Sequence, residues 1–131
     1  MYNIGSNKEK YFNLTGEIKM NEEIKKLTQA IKQDYIRWTT KNYTEELTGY
    51  FKDTVENFDD NIKVTEGRKY IKIVRDNCVW GFIVKEDFKH FIKGDILKAA
   101  GFNAPTLNRA RGNVFNLDNV NIKWTGANYL K

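Results

Sequence analysis

The chain of 131 residues has little of several residue types, and each shortage removes a class of protein. Its one cysteine, Cys78, cannot form an internal disulfide, so we expect no disulfide-stapled secreted scaffold. Its one histidine, His90, together with Cys78 falls short of the three or four ligands of a zinc site, and we expect no metal and no cofactor. No apolar run approaches the length that a bilayer requires and no signal-peptide pattern is present. We therefore expect a cytoplasmic protein, in the host cell if a phage encodes it, that does not associate with membranes.

Catalytic patterns are also scarce. Cys78 falls within a strand-like run, and there is no second histidine from which to build a nucleophile–base pair. No glycine-rich phosphate-binding loop is present. These shortages predict a protein that is not an enzyme.

The length suits one domain, which we place at residues 20–131. Its first part, residues 21–58, has helical periodicity, and residues 67–131 are rich in strand signals and basic side chains. Residues 1–19 are polar and lack sustained periodicity, which predicts a leader or a flexible arm. Codons for Gly16–Glu17 can form a ribosome-binding sequence just before Met20, which favours Met20 as the natural start. An ordinary N-terminal arm or strand is the alternative.

Two apolar stripes with helical spacing occur in residues 21–58. The first stripe steps by three or four residues and predicts either a core-facing surface or the seam of a homodimer. It comprises Ile24, Leu27, Ile31, Tyr35 and Trp38. The second stripe comprises Leu47, Phe51, Val55 and Phe58, with Asn42 as a candidate cap. We interpret residues 21–58 as a helical hairpin or as one long bent helix.

Strand signals begin after the polar stretch "FDDNIKVTEGRK", which we interpret as a loop. The run "KYIKIVRDNCVWGFIVK" predicts a hairpin that turns at Asp76–Asn77. In its second arm both alternating sets are apolar, which predicts a strand covered on both faces. Those sets are Trp80, Phe82 and Val84 on one face and Val79, Gly81 and Ile83 on the other. The terminal "NVNIKWTGANYLK" predicts a further strand.

The stretch "GDILKAAGFNAPTLNRARGN", residues 94–113, has two interpretations. In the first, residues 95–111 resemble the helix-turn-helix of lactose-repressor-type regulators. The second helix of such a motif would offer Asn103, Thr106, Asn108 and Arg109 to base edges. That family carries the motif at its N-terminus, whereas strand-rich sequence surrounds it here.

In the second interpretation, the stretch resembles a family of small, uncharacterised bacteriophage proteins with the pattern GD-[VI]-[LY]-K-x-A, then AP, then RGN. The resemblance covers residues 78–130, with Phe102 in the place of a tryptophan and a longer "KEDFKHFIK" loop. The matching positions are Phe82, Ile83, Gly94, Asp95, Ile96, Leu97, Lys98, Ala100, Ala104, Pro105, Arg111, Gly112 and Asn113. This resemblance implies a phage origin and no particular activity. We favour "DILKAA" as a strand and residues 105–111 as a helix. The expected fold is therefore α+β, with the N-terminal helical part packed on an antiparallel sheet of three or four strands and one short helix in the C-terminal half.

The charge is unevenly divided along the chain. Residues 67–131 carry 12 Lys/Arg against 5 Asp/Glu, whereas residues 1–66 carry 10 against 12. The basic half favours a polyanionic partner, nucleic acid first, although an AT-rich genome would also enrich lysine. The run "VWGFIV" partly resembles an RNA-recognition strand, but the leading basic residue and the terminal aromatic are missing, which favours core packing. Trp80, Tyr70 and Lys72 would form a stacking platform if that face is open.

We therefore expect a small non-enzymatic phage protein that binds nucleic acid, DNA or RNA, through its basic half. The candidate contact residues are Tyr70, Lys72, Lys93, Lys98, Asn108, Arg109 and Arg111. On a helix over 105–111, Arg109 and Arg111 would point in different directions, so one of them would pair internally, with Asp95 or Asp118. A phage inhibitor that occludes a host polymerase or anti-phage defence enzyme is the second hypothesis, and a helix-turn-helix regulator is the third.

Overall fold

A computed structural model describes residues 20–127 of the chain and has the expected α+β architecture. The expected leader or arm, residues 1–19, and the end of the expected last strand lie outside these residues. In the described residues, two α-helices come first, α1 (Asn21–Thr39) and α2 (Gly49–Glu56), and a 3₁₀ turn (Asp59–Asn61) follows them. Seven strands and a second 3₁₀ helix (Val114–Asn119) complete this part of the chain. The strands are β1 (Ile62–Glu66), β2 (Tyr70–Arg75), β3 (Cys78–Val84), β4 (Asp95–Leu97), β5 (Ala99–Gly101), β6 (Ala104–Pro105) and β7 (Gly112–Asn113).

Five of these strands form one antiparallel sheet in the order β1-β2-β3-β4-β7, and β5 and β6 form a separate small hairpin. The sheet is larger than the three or four strands expected. β1 lies in the stretch that we interpreted as a loop, and β7 is only two residues long. The expected hairpin turn at Asp76–Asn77 is confirmed, and both residues have positive φ (50° and 66°), as a tight two-residue turn requires.

The helical part consists of two separate helices, and the alternative of one long bent helix is wrong. α1 ends where Lys41, Asn42 and Tyr43 adopt left-handed φ values of 49°, 62° and 68°, which no α-helix continues through. Residues 40–48 are non-helical, so α2 starts well after the cap expected at Asn42. The Thr40 hydroxyl donates to the Ile36 carbonyl at 2.7 Å and closes the last turn of α1.

α1 packs its apolar stripe onto one face of the sheet, which we call the inner face. Ile24, Leu27, Ile31 and Tyr35 are buried there among inward-facing strand residues such as Ile73. They are therefore part of the protein's own core and are unavailable for the homodimer seam suggested by the stripe. Only Trp38, at the end of the stripe, is exposed.

A β-bulge changes the faces expected for β3. Ile73 pairs with Gly81 but Val74 pairs with Val79, so Trp80 is an extra residue on β3. As a result Trp80 packs in the inner cluster, whereas Phe82 and Val84 pack on the opposite, outer face. The expectation that β3 is covered on both sides is confirmed, but the grouping of Trp80 with Phe82 is wrong.

Residues 94–113 contain strand and irregular structure without a helix. "DILKAA" forms β4 and the start of β5, as the second interpretation predicted. The expected helix over 105–111 is wrong, and so is the helix-turn-helix, because Pro105 belongs to β6 and residues 106–111 are irregular. The Asn108 side chain accepts the Arg109 backbone N–H at 2.7 Å, a local bond that competes with helical ones.

Residues 120–127 are also irregular, so the strand expected there is wrong for the described part of the chain. This segment crosses the inner side of the sheet and is tied to it by specific bonds. The Trp80 indole N–H donates to the Lys123 carbonyl at 2.8 Å, and the Ala127 N–H donates to the Trp80 carbonyl at 2.9 Å.

Candidate nucleic-acid interface

The outer face of β2 carries two of the residues predicted to contact nucleic acid, Tyr70 and Lys72. In the antiparallel register Lys72 lies opposite Thr65, and Val74 lies opposite Lys63. Directly opposed residues share a face of a sheet, so Lys63 and Thr65 are on the outer face too. Both are exposed on β1, which is the edge strand. The outer face is thus open to solvent at this edge.

Lys72 connects this open area to the hairpin of β5 and β6. Its Nζ lies 4.1 Å from the centre of the Phe102 ring, within the range of a cation–π contact. The same ammonium donates to the Phe102 carbonyl and to the Asn103 side-chain oxygen, at 3.1 Å each. Lys72 therefore holds the hairpin tip beside β2 and leaves Phe102 with 56% of its surface exposed.

Tyr70 and Phe88 form an aromatic pair on the same face. Their ring centres are 5.9 Å apart at an interplanar angle of 67°, and Lys69 Nζ lies 5.8 Å from the Phe88 centre. Burial raises the pKa of the Tyr70 phenol above its ordinary value of 10.0, and a phenol is neutral at physiological pH even without that shift. A neutral phenol adds no negative charge that would repel a polyanion.

We call this surface the outer platform and define it by six residues. They are Lys63, Lys69, Tyr70, Lys72, Phe88 and Phe102. Three are lysines, three are aromatic and none is a carboxylate. Aromatic faces stack on nucleobases whatever the base, and ammonium groups neutralise phosphates. The outer platform therefore has the two chemical components that a binding surface for single-stranded nucleic acid combines.

Two of the predicted lysines lie elsewhere. Lys93 is in the turn before β4, where its Nζ is 5.8 Å from the centre of Phe115 and its backbone N–H donates to Asp87. Lys98 is half-buried between β4 and β5, and its carbonyl accepts the Thr106 N–H at 2.7 Å. Neither residue joins the set of contacts that defines the outer platform.

The other three predicted residues lie together, but one of them is structural. Arg111 is only 5% exposed, and its guanidinium donates to the Asn108 side chain at 2.6 Å and to the Arg109 carbonyl. Its commitment to these groups and its burial remove Arg111 from the candidates for contact with a partner. Two of its internal partners are thus polar groups of its own loop, in agreement with the expectation that one of the two arginines pairs internally. Arg109 remains exposed beside it.

Trp80 is absent from the outer platform because the bulge places it on the inner face, 4% exposed. Phe88 and Phe102 supply the rings in its place. Nothing in the sequence marked Phe88 or Lys63.

Across residues 20–127, no group of three or more His, Cys, Asp or Glu side chains is arranged to hold a metal ion. Over the same residues, none of the helices has the length and apolar character needed to cross a membrane.

Fold and site together define a small α+β protein with a lysine- and aromatic-rich sheet face. The chain belongs to a family of unknown function, DUF7717, whose profile matches residues 6–130. No curated protein and no solved structure matches the chain.

Proposed function

We propose that this protein binds single-stranded nucleic acid through the outer platform. The observation that carries the proposal is the Lys72–Phe102 contact, which presents an exposed ring beside an ammonium. Bases of a duplex are already stacked on each other, so exposed rings favour single strands. In this proposal Phe102 and Tyr70 stack on bases while Lys63 and Lys69 contact phosphates.

The charge distribution supports the same partner. The 12 Lys/Arg against 5 Asp/Glu in residues 67–131 give this part of the chain a net charge of +7, and Lys63 adds to it from the edge strand. A field of this sign attracts polyanions and speeds their encounter with the protein. The carboxylate of Glu66, beside the platform on β1, is already paired with Lys85.

The test is fluorescence anisotropy of labelled single-stranded DNA, single-stranded RNA and duplex DNA, titrated with protein at several salt concentrations. We expect single strands to bind more tightly than duplex and the affinity to fall steeply with salt. Phe102→Ala should weaken binding by about tenfold, the worth of one stacked base. Lys63→Ala should lower the salt slope by about 0.7, the value for one phosphate contact on a single strand.

Lys25→Ala is the matched control, because Lys25 is an exposed lysine of α1, on the other side of the sheet. It removes the same charge as Lys63→Ala and should leave the salt slope unchanged. Absence of binding at low salt, or equal losses for Lys25→Ala and Lys63→Ala, would overturn the outer platform as the interface. A host protein as partner, the second hypothesis from the sequence, would then take its place.

A further inference from the structure

A cleft lies on the inner side of the molecule, at the C-terminal end of α1. Its volume is about 440 Å³, within the range of small-molecule sites. The lining residues are Asp34, Arg37, Trp38, Lys123, Trp124 and Thr125. We call it the Trp38–Trp124 cleft. It is separate from the outer platform, because α1 and Trp124 pack on the inner cluster.

The two indole rings of the cleft form a wedge. Their centres are 5.1 Å apart and their planes are inclined at 45°, so neither ring covers the face of the other. Trp124 is held edge-on by Tyr35 at 5.1 Å, and Trp38 is held edge-on by Phe51 at 6.1 Å. Trp38 nevertheless keeps 57% of its surface exposed. This is an open ring face of the kind on which a further planar ring stacks.

Asp34 joins the two sides of the cleft. One carboxylate oxygen accepts the Trp124 backbone N–H at 2.8 Å, and the other accepts the guanidinium of Arg37. Asp34, Arg37 and Trp38 share one face of α1, because they are three and four residues apart. The carboxylate is thereby occupied in holding the cleft together, and it orients a guanidinium at the rim.

The charges that remain at the cleft are positive. Lys123 is exposed, and Arg37 has further N–H donors beyond the one given to Asp34. Arg75 lies behind the wedge, with its guanidinium carbon 5.1 Å from the Trp124 ring. A purely apolar ligand would make no use of Lys123 or of the remaining Arg37 donors, and a simple anion would leave the indole face in water. A planar ring that carries an anionic group uses both features.

We propose that the Trp38–Trp124 cleft binds a nucleobase together with its phosphate, supplied either by a nucleoside monophosphate or by one nucleotide of a strand. The base stacks on Trp38, and the phosphate is held by Arg37 and Lys123.

The first experiment measures binding of AMP, UMP, adenosine and inorganic phosphate to the full chain by isothermal titration calorimetry. We expect saturable binding of AMP, with adenosine and phosphate each at least about tenfold weaker, because each lacks one of the two recognised groups. The intrinsic fluorescence of Trp38 and Trp124 should be quenched in parallel, since Trp80 is buried.

Trp38→Ala should weaken AMP binding by about tenfold or more, and Lys123→Ala should weaken AMP binding while leaving adenosine binding unchanged. Both residues are exposed, but Trp38 also contacts Tyr35 and Trp124, so Lys123→Ala is the variant that leaves the core packing unchanged. Phe102→Ala is the matched control, because it removes a ring of nearly equal exposure from the outer platform. It should leave AMP binding unchanged.

A short oligoadenylate added to the Lys63→Ala/Phe102→Ala protein distinguishes the two sources of the ligand. If the oligoadenylate binds more tightly than AMP and its binding still depends on Trp38, the ligand of the cleft is a nucleotide within a nucleic-acid strand. If the two affinities are equal, the ligand is a free nucleotide. Absence of saturable AMP and UMP binding up to about 1 mM would overturn the proposal. So would binding that survives Trp38→Ala. If the outer platform is not the interface, the result differs: single-stranded nucleic acid then binds with an affinity that Phe102→Ala does not change.

Discussion

The two faces of the five-stranded sheet are covered by different kinds of chain. The inner face is covered mainly by a helix of 19 residues, which buries Ile24, Leu27 and Ile31 completely, and in addition by the irregular residues 120–127. The outer face is covered by the loop between β3 and β4, the short β5–β6 hairpin and the irregular residues 106–111. The cluster of buried residues on the outer face is smaller than the inner cluster and comprises Phe82, Val84, Phe91 and Leu97.

The difference follows from backbone hydrogen bonding. A helix satisfies its own backbone groups, so it can present one continuous apolar stripe to a sheet. Irregular segments must find partners for those groups in side chains, as Asn108 and Lys72 provide here. Polar and aromatic side chains therefore remain at the outer surface, where they are available to a ligand. The packing under α1 on the inner face mainly stabilises the fold, and the outer face holds the proposed interface for single-stranded nucleic acid.

The largest contrast should come from truncating one side chain on each face. Ile31→Ala should lower the free energy of unfolding by about 2–5 kcal/mol, because it opens a cavity under α1. Phe102→Ala should cost less than about 1 kcal/mol, the worth of its contact with Lys72. Denaturant unfolding monitored by circular dichroism measures both. Equal losses would mean that the β5–β6 hairpin belongs to the core, and the distinction between the faces would fail.

A smaller effect should distinguish two glycines, Gly94 and Gly101. Gly94, in the turn before β4, has φ of +91°, and a Cβ there would lie 2.6 Å from the Phe115 ring. Gly94→Ala should therefore cost about 1–3 kcal/mol of unfolding free energy. Gly101→Ala is the matched control, since a Cβ there meets nothing within 4 Å, and it should stay within about 0.5 kcal/mol. Thermal unfolding of both variants checks the pair, and indistinguishable midpoints would show that this turn is not strained.

The smallest effect concerns Tyr70 and appears only in alkali. Burial raises the folded-state pKa of its phenol above 10.0, so the folded protein holds this proton after the unfolded chain has lost it. Stability from Tyr70 should be fully present below pH 10.0 and should fall as the pH rises beyond it. Tyr70→Phe should lose less stability over the same pH range. Absorbance of tyrosinate, compared between the two proteins, isolates this one phenol among seven tyrosines. A Tyr70 pKa at or below 10.0 would show that the pair with Phe88 is open to water.

The sequence predicted the elements whose apolar pattern repeats regularly. The stripe from Ile24 to Tyr35 predicted α1, and the turn at Asp76–Asn77 predicted the β2–β3 hairpin. β1 was missed because only Ile62 and Val64 mark its buried side, within a stretch rich in Asp, Asn and Gly. The helix over 105–111 was wrong because Asn108 bonds its neighbours and Pro105 pairs with Ala99 across the small hairpin.

The candidate site was predicted only in part. Tyr70 and Lys72 could be placed on one face by the alternation of β2, and the structure keeps them together. The sequence indicated that one of Arg109 and Arg111 pairs internally, but it could not show which, because burial of Arg111 depends on the fold of its loop. Trp80 was misplaced because one bulged residue reverses the face of a strand position, and bulges have no dependable local signal.

The sequence by itself determined the fold class, the helical stripe, the central hairpin and the positive charge of the second half. These properties depend on local spacing and composition, which are written along the chain. Only the tertiary structure decided which lysines and rings share a surface. Phe102 reaches Lys72 across 30 positions, and Trp124 reaches Asp34 across 90. Such contacts arise from the path of irregular segments over the sheet, and that path is fixed by the whole set of packing and hydrogen-bond interactions at once.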